Sequence, residues 1–285
     1  MTRRRLAQRL LLSACLIAAL PYTFAADPPK SASELTRGLS SQPGFIDIWR
    51  DTEKGRVLLS VRALDEPFLL LVSLPYGLGS NDVGLDRGMQ RDPRLVHFEK
   101  RGARLFLVQQ NARFIADSAN ADERASASEA FASAVLWSGD ILASDGGKHL
   151  IDFSSFLQSD RQGIAAQLTE SKQGSYKVDE KRSAVVAEQA KSFPDNTELE
   201  SILTFEGPGT AQFLRDVAAD PTSLSLRQHV SLVRLPSAGF QRRAYHPYSG
   251  GLETSYFDFG TPLAASIDVH WQARHRLEKT DPGQA

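Results

Sequence analysis

Histidine side chains have the widest catalytic use of any group in this sequence, because an imidazole can bind zinc or move protons near neutral pH. The sequence has 6 of them. None lies in an H-E-x-x-H pattern, which places two imidazoles one helical turn apart with a glutamate between them. His270 and His275 are separated by a spacing that fits neither one helix face nor one strand face. The sequence therefore predicts no zinc site and no cofactor of its own.

A glycine-studded segment, residues 77–88, carries charged side chains directly after an apolar run. Asp82, Asp86 and Arg87 are its candidate contacts for a ligand or partner, since binding residues concentrate in loops held by a rigid scaffold. In the alternative, the segment is a long connection in which glycines permit positive φ and the Asp-Arg pair fixes a turn. The second interpretation is favoured, and a calcium site would need more oxygen ligands at closer spacing.

Three further polar residues have two interpretations each. Asp258, set among aromatic residues, is either a buried catalytic carboxylate or the cap of a turn. Arg274 and Arg276 are either weak contacts for a partner or solvated positions on a strand face. The structural interpretation is favoured for each. A hydrolase that uses Asp86, Asp258 or a histidine is the least favoured function, because no nucleophile is paired with a base in the sequence.

Short runs of β-favouring residues must position these side chains. Residues 45–49 and 56–61 flank a polar turn that ends in Gly55, and residues 95–99 and 104–108 flank a second turn, so each pair predicts a hairpin. The other predicted strands are residues 68–74, 134–138, 141–142, 149–153, 199–205, 223–235 and 267–277.

Turns and short helices complete the predicted elements. Turns are expected at residues 139–140 and 145–147, and helices are expected over residues 154–157 and 161–169, the second capped by Ser159 or Asp160. Strands follow strands across short polar turns, and few stretches have helical periodicity. This pattern predicts an α+β fold that is predominantly antiparallel β, built of hairpins or a meander, sandwich- or saddle-like, with a few short helices.

The N-terminus has the pattern of a secretory signal peptide. A cluster of arginines precedes an apolar run and a small-residue cleavage site. We expect a signal peptide over residues 1–25, a linker over 26–42 and a single β-rich domain over 43–282. The apolar run is too short to span a bilayer, so the protein is expected to be exported, periplasmic or secreted, without a transmembrane span. A lipid anchor at Cys15 is less favoured, because the apolar run continues past it.

Composition excludes several classes of function. The sequence has 33 Lys and Arg against 34 Asp and Glu, with a formal net charge of −1, whereas nucleic-acid binding requires a concentrated basic surface. Cys15 is the single cysteine, so disulfides, thiol catalysis and thiolate zinc sites are excluded once the signal peptide is removed. No glycine-rich phosphate loop or nucleophile elbow is present.

A series of short runs occurs in a distinctive order along the chain. These runs are Gly55-Arg-Val-Leu-Leu-Ser-Val, Pro67-Phe-Leu-Leu-Leu-Val-Ser-Leu, the 77–88 segment with its Asp-Arg-Gly, Val96-His-Phe-Glu-Lys-Arg-Gly, Ser192-Phe-Pro-Asp-Asn-Thr-Glu and Arg274-His-Arg-Leu-Glu-Lys-Thr-Asp-Pro. In this order they resemble the N-terminal domain of unknown function of exported bacterial zinc-dependent metalloproteases. The likeness extends over roughly residues 43–282.

The resemblance implies that a zincin peptidase domain with H-E-x-x-H follows this domain in the family. The sequence ends at Ala285 without that motif, so zinc and its general base would belong to the missing domain. The expected function is a non-catalytic N-terminal module, truncated or encoded without its peptidase, that packs against a peptidase domain or presents a polypeptide substrate. The alternative is a free-standing periplasmic binding or interaction protein.

Overall fold

The computed structural model describes residues 30–79, 83–237, 239–275, 281 and 283. Its strands, numbered in chain order, are β1 (Ser40–Gln42), β2 (Asp47–Asp51), β3 (Arg56–Val61), β4 (Phe68–Tyr76), β5 (Arg94–Arg101), β6 (Arg104–Gln109), β7 (Phe114–Ile115), β8 (Ala134–Asp145), β9 (Lys148–Asp152), β10 (Lys177–Val178), β11 (Ala184–Val185), β12 (Lys191–Ser192), β13 (Asn196–Glu206), β14 (Ser223–Arg234), β15 (Glu253–Asp258) and β16 (Asp268–Gln272). Its α-helices are α1 (Ala32–Leu35), α2 (Ala121–Ala130), α3 (Ser154–Leu157), α4 (Ile164–Glu170) and α5 (Gln212–Val217).

One large antiparallel sheet, the main sheet, contains most of the strands. Its order is β1-β2-β3-β9-β8-β6-β5-β4-β14-β13-β10, and β11 and β12 also pair with β13. Strand β1, at one end of this order, approaches β12, which pairs with β13 near the other end, since Nε2 of Gln42 donates to the carbonyl of Ser192 at 2.6 Å. The main sheet is therefore nearly closed and barrel-like. The predicted fold class, predominantly antiparallel β with a few short helices, is confirmed.

The interior of the main sheet is apolar, because alternate residues of each strand point to the same face. The first core cluster contains Ile48, Leu59, Phe98, Leu107, Ile151 and Val230, among others. A second cluster continues on the same faces of β4, β13 and β14, and includes Leu74, Leu203 and Leu226 together with Ile164 and Leu168 of α4. Helix α4 therefore extends the core beyond the most closed part of the sheet.

Two predicted hairpins are confirmed, β2–β3 and β5–β6. The turn predicted at residues 139–140 is wrong, because β8 continues through it. A Cβ at Gly139 would lie 2.4 Å from the indole of Trp137, so this glycine makes room for a core side chain and does not reverse the chain. The reversal occurs between β8 and β9 at Gly146 and Gly147, whose φ values of 54° and 76° suit a two-residue hairpin turn.

A seam of buried hydroxyl groups closes the main sheet between β2 and the β12–β13 region. The N–H of Ile46 donates to Oγ1 of Thr197 at 3.2 Å, and Oγ of Ser192 donates to the carbonyl of Ile46 at 2.7 Å. Gly44 allows the close approach, because a Cβ there would lie 2.2 Å from Oγ of Ser192. Side-chain hydrogen bonds thus satisfy backbone groups at a point where the strand ladder is interrupted.

A second, small sheet has the order β16-β15-β7, with β15 parallel to β7 and antiparallel to β16. Its aromatic side chains stack on one another. The ring of Phe114 lies 4.3 Å from that of Phe131 and 5.2 Å from that of Phe257 between centroids. Strand β7 follows the end of β6, so this stack attaches the small sheet to the chain that leaves the main sheet.

The segment predicted as a linker, residues 26–42, contains ordered elements in its described part. Helix α1 has a capping box between Ser31 and Glu34, and β1 pairs with β2, so the main sheet begins earlier than the sequence indicates. The two predicted short helices correspond to α3 and α4, but α4 begins at Ile164, three residues later than predicted, with Gly163 at its N-cap. Oδ1 of Asp160 accepts from the N–H groups of Gly163 and Ile164 at 2.7 and 2.9 Å. None of the helices in the described ranges is both long and apolar enough to cross a bilayer.

Candidate functional site

The glycine-studded loop returns along β4 in an antiparallel direction. The N–H of Gly88 donates to the carbonyl of Leu74 at 2.7 Å, and the N–H of Leu78 donates to the carbonyl of Leu85 at 2.8 Å. A Cβ at Gly77 would lie 2.3 Å from the backbone nitrogen of Arg87, so the close approach of the two chains requires glycine. Asp82 lies outside the described residues.

Apolar residues of this loop are buried in the second core cluster. Val83 and Leu85 are only 1% and 2% exposed, and Nε2 of Gln167 on α4 donates to the carbonyl of Val83 at 3.0 Å. Asp86 is partly exposed and Arg87 is exposed. The loop therefore packs as part of the fold and presents its charged pair at the surface.

The other predicted contacts lie elsewhere. The guanidinium of Arg274 lies 5.0 Å from the ring centroid of Phe240 and donates to the carbonyl of Gln241, beside the small sheet. Arg276 lies outside the described residues. Oδ1 of Asp258 accepts from the N–H groups of Asp117 and Gly260 at 2.8 and 2.9 Å, which is the geometry of a turn cap. The predicted residues are thus distributed between the loop along β4 and the surroundings of the small sheet.

A polar cluster on the outer face of β13 and β14 was not predicted. Glu198 and Glu200 lie opposite Ser231 and His229 in the strand register. Nε2 of His229 lies 2.6 Å from Oε2 of Glu198, and Nδ1 lies 3.3 Å from Oε1 of Glu200. Arg227 completes the cluster, with its NH1 atom 3.2 Å from Oε2 of Glu200. The imidazole is therefore held between two carboxylates.

The two ionisable partners shift each other's proton affinity. The hydrogen bond that His229 donates to the carboxylate of Glu198 raises the pKa of His229 and outweighs the opposing effect of burial. Burial acts to raise the pKa of Glu198, but hydrogen bonds from His229, Ser231 and Asn196 together lower it. The cluster is therefore most favourable when the imidazole is protonated and the carboxylate is ionised.

This cluster is not arranged for nucleophilic catalysis. Oγ of Ser231 donates to Glu198 and not to the imidazole, whereas a serine nucleophile needs a base that accepts its proton. Both ring nitrogens of His229 face carboxylates. In the part of the chain that the structure describes, no three His, Cys, Asp or Glu side chains are placed to hold a metal ion.

An open cavity of about 720 Å³, the mouth cavity, lies where β2, β4 and β9 begin and β3 and β14 end. Aromatic rings form its wall. The centroid of Phe68 lies 5.8 Å from that of Phe45 and 5.6 Å from that of Phe98. Its volume falls within the range of small-ligand sites, which often occupy the open ends of barrel-like sheets.

Charged side chains surround the mouth cavity. Nζ of Lys148 lies 2.6 Å from Oδ2 of Asp47, so these two groups neutralise each other. The guanidinium of Arg234 lies 4.7 Å from the centroid of Phe45. Arg62 and Glu66 are exposed. The mouth cavity therefore combines an apolar wall with a rim that carries both signs of charge.

Large apolar side chains are exposed around the small sheet, over residues 240–267, and this region is named the small-sheet surface. Tyr248, Leu252 and Leu263 are 93%, 80% and 108% exposed, and Phe259 and Ile267 are also exposed. These residues contribute almost nothing to the core of the described structure. These five large apolar side chains, exposed within one stretch of the chain, make this region a candidate interaction surface.

The fold defines a mainly β domain with an open cavity at one end of the main sheet and exposed apolar side chains around the small sheet. The chain matches a family described as a domain of unknown function, DUF5117, over residues 88–280. This match covers well over half of the chain, and the protein belongs to the DUF5117 family. No curated protein and no solved structure matches the chain. The prediction that the chain contains a domain of unknown function is therefore confirmed.

Sequence reasoning missed both the polar cluster and the mouth cavity. The cluster had a visible signal, because Arg227, His229 and Ser231 alternate along one strand and Glu198 and Glu200 along another. The pairing of these two strands in register was not visible. The mouth cavity is lined by residues of six strands, and although most of its lining lies within residues 44–68, Phe98, Lys148 and Arg234 come from strands that are distant in sequence.

Proposed function

We propose that the chain is a non-catalytic module of an exported zinc-dependent metalloprotease and that its small-sheet surface packs against the peptidase domain. The observation that carries this proposal is the exposure of Tyr248, Leu252 and Leu263. Removing such side chains from water is favourable by about 25 cal/mol per Å² of apolar area. Docking of a second domain would supply that burial.

The charges beside the small-sheet surface indicate the chemistry of the partner. The guanidinium of Arg242 lies 4.8 Å from the ring centroid of Trp271, and Arg274 packs in the same manner on Phe240. Both guanidinium groups already have partners within the fold, because Arg242 contacts Asp117 and Tyr256 and Arg274 donates to the carbonyl of Gln241. A mainly apolar partner surface would therefore fit this arrangement.

The position of the surface in the chain supports the same partner. In the metalloprotease family that the sequence resembles, the peptidase domain follows the run that begins at Arg274. The small-sheet surface occupies the segment just before this run. A domain attached after it would meet the surface at high effective concentration, so a modest contact area would suffice for stable packing.

Export is part of this proposal. The arginine-rich start, the apolar run and the cleavage pattern of residues 1–25 support secretion to the periplasm or the medium. N-terminal sequencing of the mature protein tests this point: cleavage after Ala25 leaves Ala26 at the N-terminus. A lipid-modified Cys15 at the N-terminus would favour the membrane-anchored alternative.

The docking test uses two separate polypeptides. One is the mature chain, and the other is a zinc peptidase domain from the metalloprotease family that this sequence resembles. We expect the two to associate in size-exclusion chromatography and calorimetry. The double variant Leu252→Ser, Leu263→Ser should weaken association at least tenfold, whereas the matched pair Val135→Ser, Leu142→Ser on β8 should not. Absence of association, or equal weakening by both pairs, would contradict the proposal.

Lack of catalysis is tested separately. We expect the purified chain to leave casein intact, with or without added zinc. Cleavage of casein that disappears in Asp86→Ala would instead establish the hydrolase alternative.

The mouth cavity favours a second candidate, a free-standing periplasmic binding protein. This candidate predicts that the isolated chain is monodisperse and that a hydrophobic dye binds it weakly. Strong dye binding that falls in the Leu252→Ser, Leu263→Ser variant would favour the docking module, because the small-sheet surface would then be the exposed apolar region.

A further inference from the structure

We propose that the mouth cavity binds the carboxyl-terminal residue of a polypeptide, with a large apolar side chain against Phe45 and Leu64 and the terminal carboxylate at Arg62. This inference goes beyond docking of a peptidase, because it concerns a different end of the fold. The strand register places the mouth cavity at the start of β4 and the end of β5, whereas β7 and the small sheet follow the opposite end of β6.

The apolar part of the ligand is defined by the cavity wall. Phe68 and Phe98 are 4% and 1% exposed, so their rings belong to the core and support the wall from behind, while the partly exposed Phe45 and Leu64 supply the apolar surface that lines the cavity. Phe45 packs edge-on against Phe68, with an interplanar angle of 75°. A planar or branched side chain inserted beside these rings would gain both apolar burial and aromatic contact. This wall therefore selects a ligand that ends in a large apolar group.

The remaining charges at the rim define the polar part of the ligand. Lys148 is neutralised by Asp47, and Arg234 has Asp195 within 3.4 Å. Arg62 and Glu66 line the cavity and are exposed, and neither forms an ion pair within the described ranges. The mouth cavity thus offers one cation and one anion that its own fold leaves available.

This pair of charges distinguishes a peptide terminus from other amphiphiles. The last residue of a polypeptide carries a carboxylate, which Arg62 can bind through charge-assisted hydrogen bonds, and a neighbouring amide N–H, which Glu66 can accept. A fatty acid has a carboxylate but no donor for Glu66. A peptide with an amidated end has donors but no anion for Arg62. The arrangement therefore matches a free peptide carboxyl terminus.

The test measures fluorescence anisotropy of a labelled hexapeptide that ends in phenylalanine, with either a free carboxylate or a terminal amide. We expect saturable binding of the free acid and binding at least tenfold weaker for the amide. Dodecanoate should not displace the peptide. Arg62→Gln should weaken binding of the free acid about tenfold, the effect expected from loss of one charged hydrogen bond, and should leave the amide unchanged.

Two further variants keep the test decisive. The matched control is Arg37→Gln, which changes an exposed arginine two residues after α1. This variant should bind the peptide as the unaltered protein does. Ala63→Trp should abolish binding by filling the cavity, with an unchanged circular dichroism spectrum. Equal binding of acid and amide, displacement by dodecanoate, or no saturable binding at millimolar peptide would each overturn the inference. None of these outcomes depends on association with a peptidase domain.

Discussion

The side-chain oxygen of Gln228 accepts a hydrogen bond from the backbone N–H of Arg161 at 2.8 Å. The same oxygen accepts from the N–H of Gln162 at 3.0 Å, and the amide nitrogen donates to the carbonyls of Leu157 and Ser159 at 3.3 and 3.2 Å. Gln228 is completely buried on the inner face of β14, between Leu226 of the second core cluster and Val230 of the first. One side chain thus fixes the connection between α3 and α4 to the main sheet.

Replacing this amide should destabilise the whole fold. Gln228→Leu would leave four backbone groups without their partner, and we expect a loss of about 3 kcal/mol in the free energy of unfolding. Urea denaturation followed by circular dichroism measures this value. Gln90→Leu, at an exposed position, should change the same free energy by less than about 0.5 kcal/mol. Similar losses in the two variants would show that Gln228 has no special role.

Removing a hydroxyl group from the seam between β2 and the β12–β13 region should also destabilise the fold. Thr197→Val keeps the shape of the buried side chain but removes the oxygen that Ile46 and Ser192 use. We expect unfolding to become easier by about 2 kcal/mol, since an N–H group is left buried without an acceptor. Thermal unfolding should show a lower midpoint for this variant, while exposed Thr210→Val should unfold like the unaltered protein. An unchanged midpoint in Thr197→Val would mean that the seam closes without this hydroxyl.

The loop after β4 allows a direct comparison of its buried and exposed residues. Leu85→Ala should cost about 2–5 kcal/mol of stability, because it opens a cavity beside Ile164 and Leu168. Arg87→Ala should cost less than about 0.5 kcal/mol, because its side chain is exposed. Chemical denaturation of both variants measures the difference. A larger loss of stability in Arg87→Ala than in Leu85→Ala would contradict this expectation and would show that the Asp86-Arg87 pair fixes the turn.

The polar cluster should make stability depend on pH. The raised pKa of His229 stabilises the fold fully below the ordinary imidazole value of 6.5, and this stabilisation is lost as pH rises through the raised value. The lowered pKa of Glu198 stabilises the fold above the ordinary carboxyl value of 4.5, and this stabilisation is lost as pH falls. The cluster therefore stabilises the fold most at pH values between 4.5 and 6.5.

Unfolding in urea at pH 6 and at pH 8.5 tests this expectation. His229→Gln should lower the free energy of unfolding more at pH 6 than at pH 8.5, because only the protonated imidazole interacts strongly with both carboxylates. His246→Gln, at an exposed ring outside the cluster, should show no such difference. An identical effect of His229→Gln at both pH values would refute the assignment of the charged form.

Local patterns predicted the hairpins and the fold class, because alternation of apolar residues and polar turns acts over a few positions. They failed at Gly139, where a glycine serves the packing of Trp137, a tertiary contact that no local pattern reports. They also failed for closure of the sheet, since the seam joins Ile46 to Thr197, which are 151 positions apart. The polar cluster depends on the register of β13 with β14, and the mouth cavity depends on side chains from six strands, so the candidate sites were less predictable than the strands.

The seam also has a consequence for biogenesis. A ribosome releases β2 long before β12 and β13. The contacts of the seam therefore cannot form until most of the polypeptide has emerged, and one edge of the early strands stays unpaired until then. Such late closure slows folding and leaves a template for association between nascent chains. Chaperones that shield strand edges should therefore raise the yield of this protein more than those that only protect isolated apolar segments.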